Sequence, residues 1–162
     1  YIAEGRNLII AGEPRRQKQM NPTLANFGLS FMPGILVQES KDYPADLILS
    51  SITKAAEDLS KRFSDAAYFG YKITMPSTVG IKQIEEKGFT IIPLMTTDST
   101  GSWSELETTN FVEDTARINP AIGEIEQANV TMMYLTRQIN GKKPARCRQN
   151  FSPVMCFAVS RT

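Results

Sequence analysis

The apolar residues of this chain come in short runs, each stopped by glycine, proline or a polar turn, and that punctuation limits what the chain can fold into. "NLIIA" (7–11) lies between Gly5 and Gly12, "YKITMP" (71–76) stops at Pro76, and "FTIIPLM" (89–95) gives way to a hydroxyl-rich segment. Later come "NVTMMYLTRQI" (129–139) and "SPVMCFAVSR" (152–161). Apolar runs of this length between breakers read as strands. None approaches the ~18 residues that a membrane-spanning helix requires. Pro93 marks a sheet edge or a bulge, because proline has no N–H to give to a ladder.

A different period governs the middle of the chain. In "DYPADLILSSITKAAEDLSKRF" (42–63), Ile48, Ile52, Ala55, Leu59 and Phe63 recur at helical spacing, with Lys54, Glu57, Asp58 and Lys61 facing away. The pattern predicts an amphipathic helix, with Asp42 ahead of Pro44 as its start signal. "NPTLANFGL" (21–29) predicts a short helix capped by Asn21, with Pro22 in its first turn and Gly28 ending it. "VGIKQIEEKG" (79–88) predicts a short helix or turn, and "ETTNFVEDTARINPAI" (107–122) an irregular polar segment. The last two apolar runs, joined by "NGKKPARCRQNF" (140–151), read as a β-hairpin with a long basic loop.

Strands alternating with helices early and following one another late predict an α/β domain with a mixed sheet. A length of 162 residues suits one domain with a sizeable core. "YIAEG" reads as the last turn of a helix capped by Gly5, and "VMCFAVSRT" as a strand with no terminating segment, so both ends read as cut from a longer protein.

The residue inventory excludes much chemistry. With no histidine, Ser-His-Asp and Cys-His machinery, His-ligated zinc and an imidazole acid/base are ruled out. No phosphate-binding P-loop, dinucleotide glycine fingerprint or G-x-S-x-G elbow occurs. A net charge of +1 gives no reason to expect nucleic acid, and no cofactor is implied. Asp98, Glu105 and Glu107 leave a carboxylate-pair hydrolase formally open. Cys147 and Cys156 have neither zinc nor redox spacing; they can pair across the hairpin or stay as free thiols.

The richest polar stretch is "LMTTDSTGSWSELE" (94–107), which holds the only tryptophan. Asp98, Ser99, Thr100 and Ser102 fit the oxygen-donor spacing of metal-dependent adhesion domains, where carboxylate and hydroxyl oxygens suit Mg²⁺. The same residues also make a strand-exit loop, with side chains turned to the backbone and Trp103 covering a sheet edge. A third reading makes the loop a recognition surface, with Trp103 as its anchor and Asp98, Ser99, Thr100 and Ser102 as polar contacts. Arg15 and Arg16, after the first strand, sit where α/β sheets bind anions but lack a glycine-rich cradle. Lys142, Lys143, Arg146 and Arg148 form a basic cluster able to contact anions or lipid headgroups. Asn129-Val130-Thr131 matches a glycosylation sequon.

Across this order of motifs, "YIAEGRNLIIAGEPRR", "YKITMPSTVGI", "KGFTIIPLMTTDSTGSWSE" and "LTRQINGK", the chain resembles the GldG-like auxiliary region of bacterial ABC-type transporters of the gliding-motility type. The resemblance runs from Tyr1 to about Lys142. It implies an extracytoplasmic (periplasmic) domain, tethered to the membrane and partnered with an ABC permease and its ATPase. It also implies a flavodoxin-like fold, similar to class I glutamine amidotransferases without their Cys-His pair. The family supplies no catalytic residues to transfer, and the basic loop after Gly141 departs from its pattern.

Overall fold

Strands form where the short apolar runs stand. The computed structural model describes residues 8–113 and 115–137 and the backbone of 154–158. The expected helical turn before Gly5, the basic cluster Lys142, Lys143, Arg146 and Arg148, Cys147 and the side chain of Cys156 lie outside the described residues.

A six-stranded sheet runs in the order β1 (Leu8–Gly12), β10 (Val154–Ala158), β9 (Val130–Thr136), β7 (Thr90–Thr96), β4 (Leu47–Ile52) and β5 (Lys72–Pro76). Only β1 and β10 pair in parallel; the other pairs are antiparallel, so the sheet is mixed. Two ribbons complete the described strands: β2 (Leu29–Phe31) with β6 (Ile81–Gln83), and β3 (Ile35–Gln38) with β8 (Ser102–Glu105). The helices are short: α1 (Gln17–Leu24), α2 (Lys54–Glu57) and α3 (Lys61–Tyr68). This is a mixed α/β protein with few helices.

Alternation along β9 divides the core. Met133 and Leu135 join Leu24 of α1 and Phe31 and Ile81 of the β2–β6 ribbon in one cluster. Met132 and Tyr134, on the opposite face by strand geometry, pack on a second cluster with Ile48, Met75, Leu94 and Ala56 of α2. Pro93 lies in a central strand, and the register of β7 on β9 shifts between Pro93 and Met95. Proline therefore marks a bulge here, which lets the consecutive Leu94 and Met95 both join the second cluster.

The helix expected from Asp42 is the main correction. Residues Leu47–Ile52 form a strand, and helix begins only at Lys54. A four-residue spacing such as Ile48 to Ile52 also falls on one face of a strand, so periodicity alone did not separate the two. Thr53 starts α2, its hydroxyl accepting from the Ala56 N–H at 3.1 Å, and Ser60 starts α3 in the same way through Phe63. The helix expected over 21–29 begins earlier, at Gln17, so Pro22 lies inside it. Asn21 is no cap: its amide accepts from Phe31 N–H at 2.9 Å and donates to Phe31 C=O at 3.2 Å, tying α1 to β2. Gly28 does end the segment, in the left-handed region at φ 75°, where an added Cβ would lie 2.1 Å from the Glu85 carbonyl oxygen. The segment 79–88 contains strand β6 rather than a helix.

Candidate functional site

The stretch 94–107 is only partly a loop. Strand β7 continues to Thr96, and β8 begins at Ser102, leaving 97–101 as the turn between them. Asp98 sits beneath two donors: Gln38 Nε2 at 3.1 Å and the Lys72 ammonium at 3.0 Å, both on Oδ2. Ser99 and Thr100 are exposed at the tip. Ser102 is fully buried in β8 opposite Gln38, away from the tip. The five proposed residues therefore divide into an exposed turn and a buried strand. The Lys72 ammonium already pairs with Asp98, and no group of three or more carboxylate or cysteine side chains among the described residues could hold a metal ion.

Trp103 is the residue most changed by tertiary structure. It is 3% exposed and paired with Val37, so it cannot act as a protruding anchor. Its indole N–H donates to Glu105 Oε2 at 3.1 Å. The other Glu105 oxygen accepts from the backbone N–H groups of Thr108 at 2.9 Å and Glu107 at 3.1 Å. Burial pushes the Glu105 carboxyl up, but the Thr108 and Glu107 amides, the Trp103 indole and neighbouring Glu124 together outweigh it and hold the group below its ordinary 4.5.

Glu124, also buried, completes the arrangement. Oε1 accepts from Leu106 N–H at 2.8 Å and Oε2 from Asn119 N–H at 2.6 Å. Two buried carboxylates thus close the irregular segment 106–124 on itself and onto the end of β8 by satisfying backbone donors that no strand or helix satisfies. Sequence reasoning noted Glu105 as a hydrolase candidate and missed Glu124 altogether. Asp98 and Glu107 have separate partners: Gln38 and Lys72 hold Asp98, whereas Glu107 is exposed and accepts from Asn119 Nδ2 at 3.1 Å.

Phe111, near the tip of the fastened segment, divides two clefts. One, of 690 Å³, has Trp103 and Phe111 in its wall with Ser40, Lys41, Thr115 and Arg117 around them. The other, of 540 Å³, lies between Phe111, Val112, Ile35, Asp46, Ser77 and Arg15. Arg15 Nη2 donates to Thr109 C=O at 2.8 Å, a third tie on the segment. Arg15 (φ 66°) and Ser77 (φ 43°), the two described non-glycine residues with positive φ, both line this second cleft. Ser77 is held there by Asp46, whose carboxylate accepts its hydroxyl at 2.6 Å. Non-glycine residues in the left-handed region cost about 1 kcal/mol or more and persist where surroundings enforce them, often at binding sites. No signal in the sequence marked Ser77, and Phe111 was hidden in a polar segment.

The sequon does not present an acceptor: Asn129 is 2% exposed and Thr131 fully buried, with Thr131 Oγ1 2.9 Å from Ser50 Oγ. No described helix is long and apolar enough to cross a membrane. Comparison with family models, with curated proteins and with solved structures finds no match in any of the three.

Proposed function

We propose that this chain is a non-catalytic binding domain of the GldG-like kind, working with an ABC-type permease and its ATPase on the extracytoplasmic side of a bacterial inner membrane. The observation that carries the binding reading is the carboxylate clamp. Glu105 and Glu124 have every oxygen engaged by backbone or indole donors, which suits them to holding a recognition segment. The clamp presents Phe111 between two clefts, and the exposed Ser99 and Thr100 at the neighbouring turn add polar contacts, with Asp98 beside them. Phe111 takes the anchor role first given to Trp103, which becomes part of the cleft wall.

The transporter assignment rests on the ordered motifs of the sequence. A flavodoxin-like, three-layer arrangement belongs to the same proposal: α1 and α2 pack in clusters on opposite faces of the sheet, which favours it, while the mostly antiparallel pairing departs from it. The test is an affinity pull-down of the full-length protein from detergent-solubilised membranes, with bound proteins identified by mass spectrometry. Recovery of an ABC ATPase and permease, lost on Phe111→Ala with an unchanged melting temperature, is the expected result. Recovery from the soluble fraction alone, with no transporter subunit, would overturn it.

A further inference from the structure

An aromatic tip precedes the edge strand β5. Tyr68 (85% exposed), Phe69 (65%) and Tyr71 (65%) project from the turn between α3 and β5. They contact one another rather than the core: Tyr68 meets Phe69 edge-on at 5.3 Å between centroids, and Phe69 stacks on Tyr71 at 6.0 Å. Gly70, at φ 68°, makes the turn, and a Cβ there would meet nothing within 4 Å, so the tip is convex. Beside it runs a 430 Å³ groove lined by Ile52, Phe63, Ala66, Tyr71 and Ile73, with Arg62 at its rim.

Most charges around the tip are paired. Lys61 is paired with Asp65 at 2.9 Å and Lys72 with Asp98 at 3.0 Å. Arg62 and the exposed Asp58 have no ion-pair partner among the described residues, and of the two only Arg62 lines the groove beside Tyr71. No Asp or Glu occurs between Asp65 and Glu85. Three exposed aromatics offer on the order of 400 Å² of contact surface, well short of the roughly 800 Å² per partner that a stable protein interface buries. A lipid bilayer has no such requirement. Amphipathic tyrosine rings partition to the headgroup level, and an unpaired guanidinium meets the phosphates.

We propose that the Tyr68–Tyr71 turn is a membrane-contact site that inserts its aromatic side chains at the surface of a phospholipid bilayer, with Arg62 on the headgroup phosphates. The partner is the bilayer itself, so the site is independent of any transporter subunit. The experiment is co-sedimentation of the protein with unilamellar vesicles of phosphatidylcholine alone or mixed with phosphatidylglycerol, beside sedimentation velocity of the protein without lipid. Both vesicles should bind the protein, the anionic ones about five-fold more tightly, as one free cation near the surface would give. Tyr68→Ser/Phe69→Ser/Tyr71→Ser should leave the protein in the supernatant with its melting temperature unchanged, and Arg62→Gln should erase the anionic preference. Equal sedimentation of the triple variant and the unmodified protein would overturn the proposal, as would no binding to either vesicle. A dimer in lipid-free solution that the same substitutions dissociate would replace the bilayer with a second copy. Because the vesicles hold no permease or ATPase, this result and that of the pull-down are read separately.

Discussion

At the scale of single residues, Glu105 and Trp103 each make the other's burial tolerable: the carboxylate accepts the indole N–H, and the indole fills the space between β3 and the cleft. Replacing Glu105 with alanine leaves the indole and two backbone donors unsatisfied, and the expected loss is on the order of 3 kcal/mol in urea unfolding at neutral pH. Trp103→Ala should cost about 3–5 kcal/mol through the cavity it leaves, so any loss of binding in that variant must be judged against a measured stability. The sign of the pH effect follows from Glu105. Its carboxyl is held below 4.5 in the folded protein, so its stabilisation is complete above that value and fades as the pH falls through the lower, folded-state value. Urea midpoints measured from pH 7 down to pH 3 should therefore drop on the acid side, and Glu105→Gln should show a shallower drop. A variant with the same acid slope as the unmodified protein would remove Glu105 as a source of it.

At the scale of elements, Thr53 joins three pieces of structure. Its hydroxyl caps α2 by accepting from Ala56 N–H and donates to the Pro93 carbonyl at the bulge, while its own N–H donates to Leu94 C=O at 3.0 Å. Thr53→Val keeps the shape and removes both hydroxyl bonds, at an expected cost of about 1–2 kcal/mol. Chemical denaturation would measure it, and a change within experimental error would mean that the cap and the bulge are held by packing alone. The same region shows why the helix over 42–63 was misread. Ile48 and Ile52 suit either period, whereas Thr53 and Ser60 are true start signals that a single long helix left unexplained.

At the scale of the whole molecule, the segment 106–124 is a separate layer of stability, held chiefly by polar contacts within itself, to Glu105 of β8 and to Arg15. Its core contribution is small, so it can open without the sheet unfolding. Glu124→Ala should speed limited proteolysis within 106–119 several-fold while leaving the melting temperature of the sheet nearly unchanged; equal cleavage rates would show that Arg15 and Glu105 suffice to hold it. The strands β1, β5, β7 and β9 were legible in the sequence because short apolar runs act through local backbone chemistry. So was the mixed character of the sheet. Pro93 left a sheet edge and a bulge open, and the central place of β7 decided for the bulge. Of the candidate site, the exposed turn at Asp98–Thr100 was legible, since aspartate, hydroxyls and glycine specify a turn locally. What the tertiary structure alone decided was the fate of side chains whose partners are distant in sequence. Burial of Trp103 depends on β3, the charge on Asp98 is answered by Lys72 from β5, and Glu124 reaches back to Leu106. Those contacts join residues that no periodicity relates, and they turn an apparent recognition loop into a strand and an inconspicuous polar segment into the wall of two clefts.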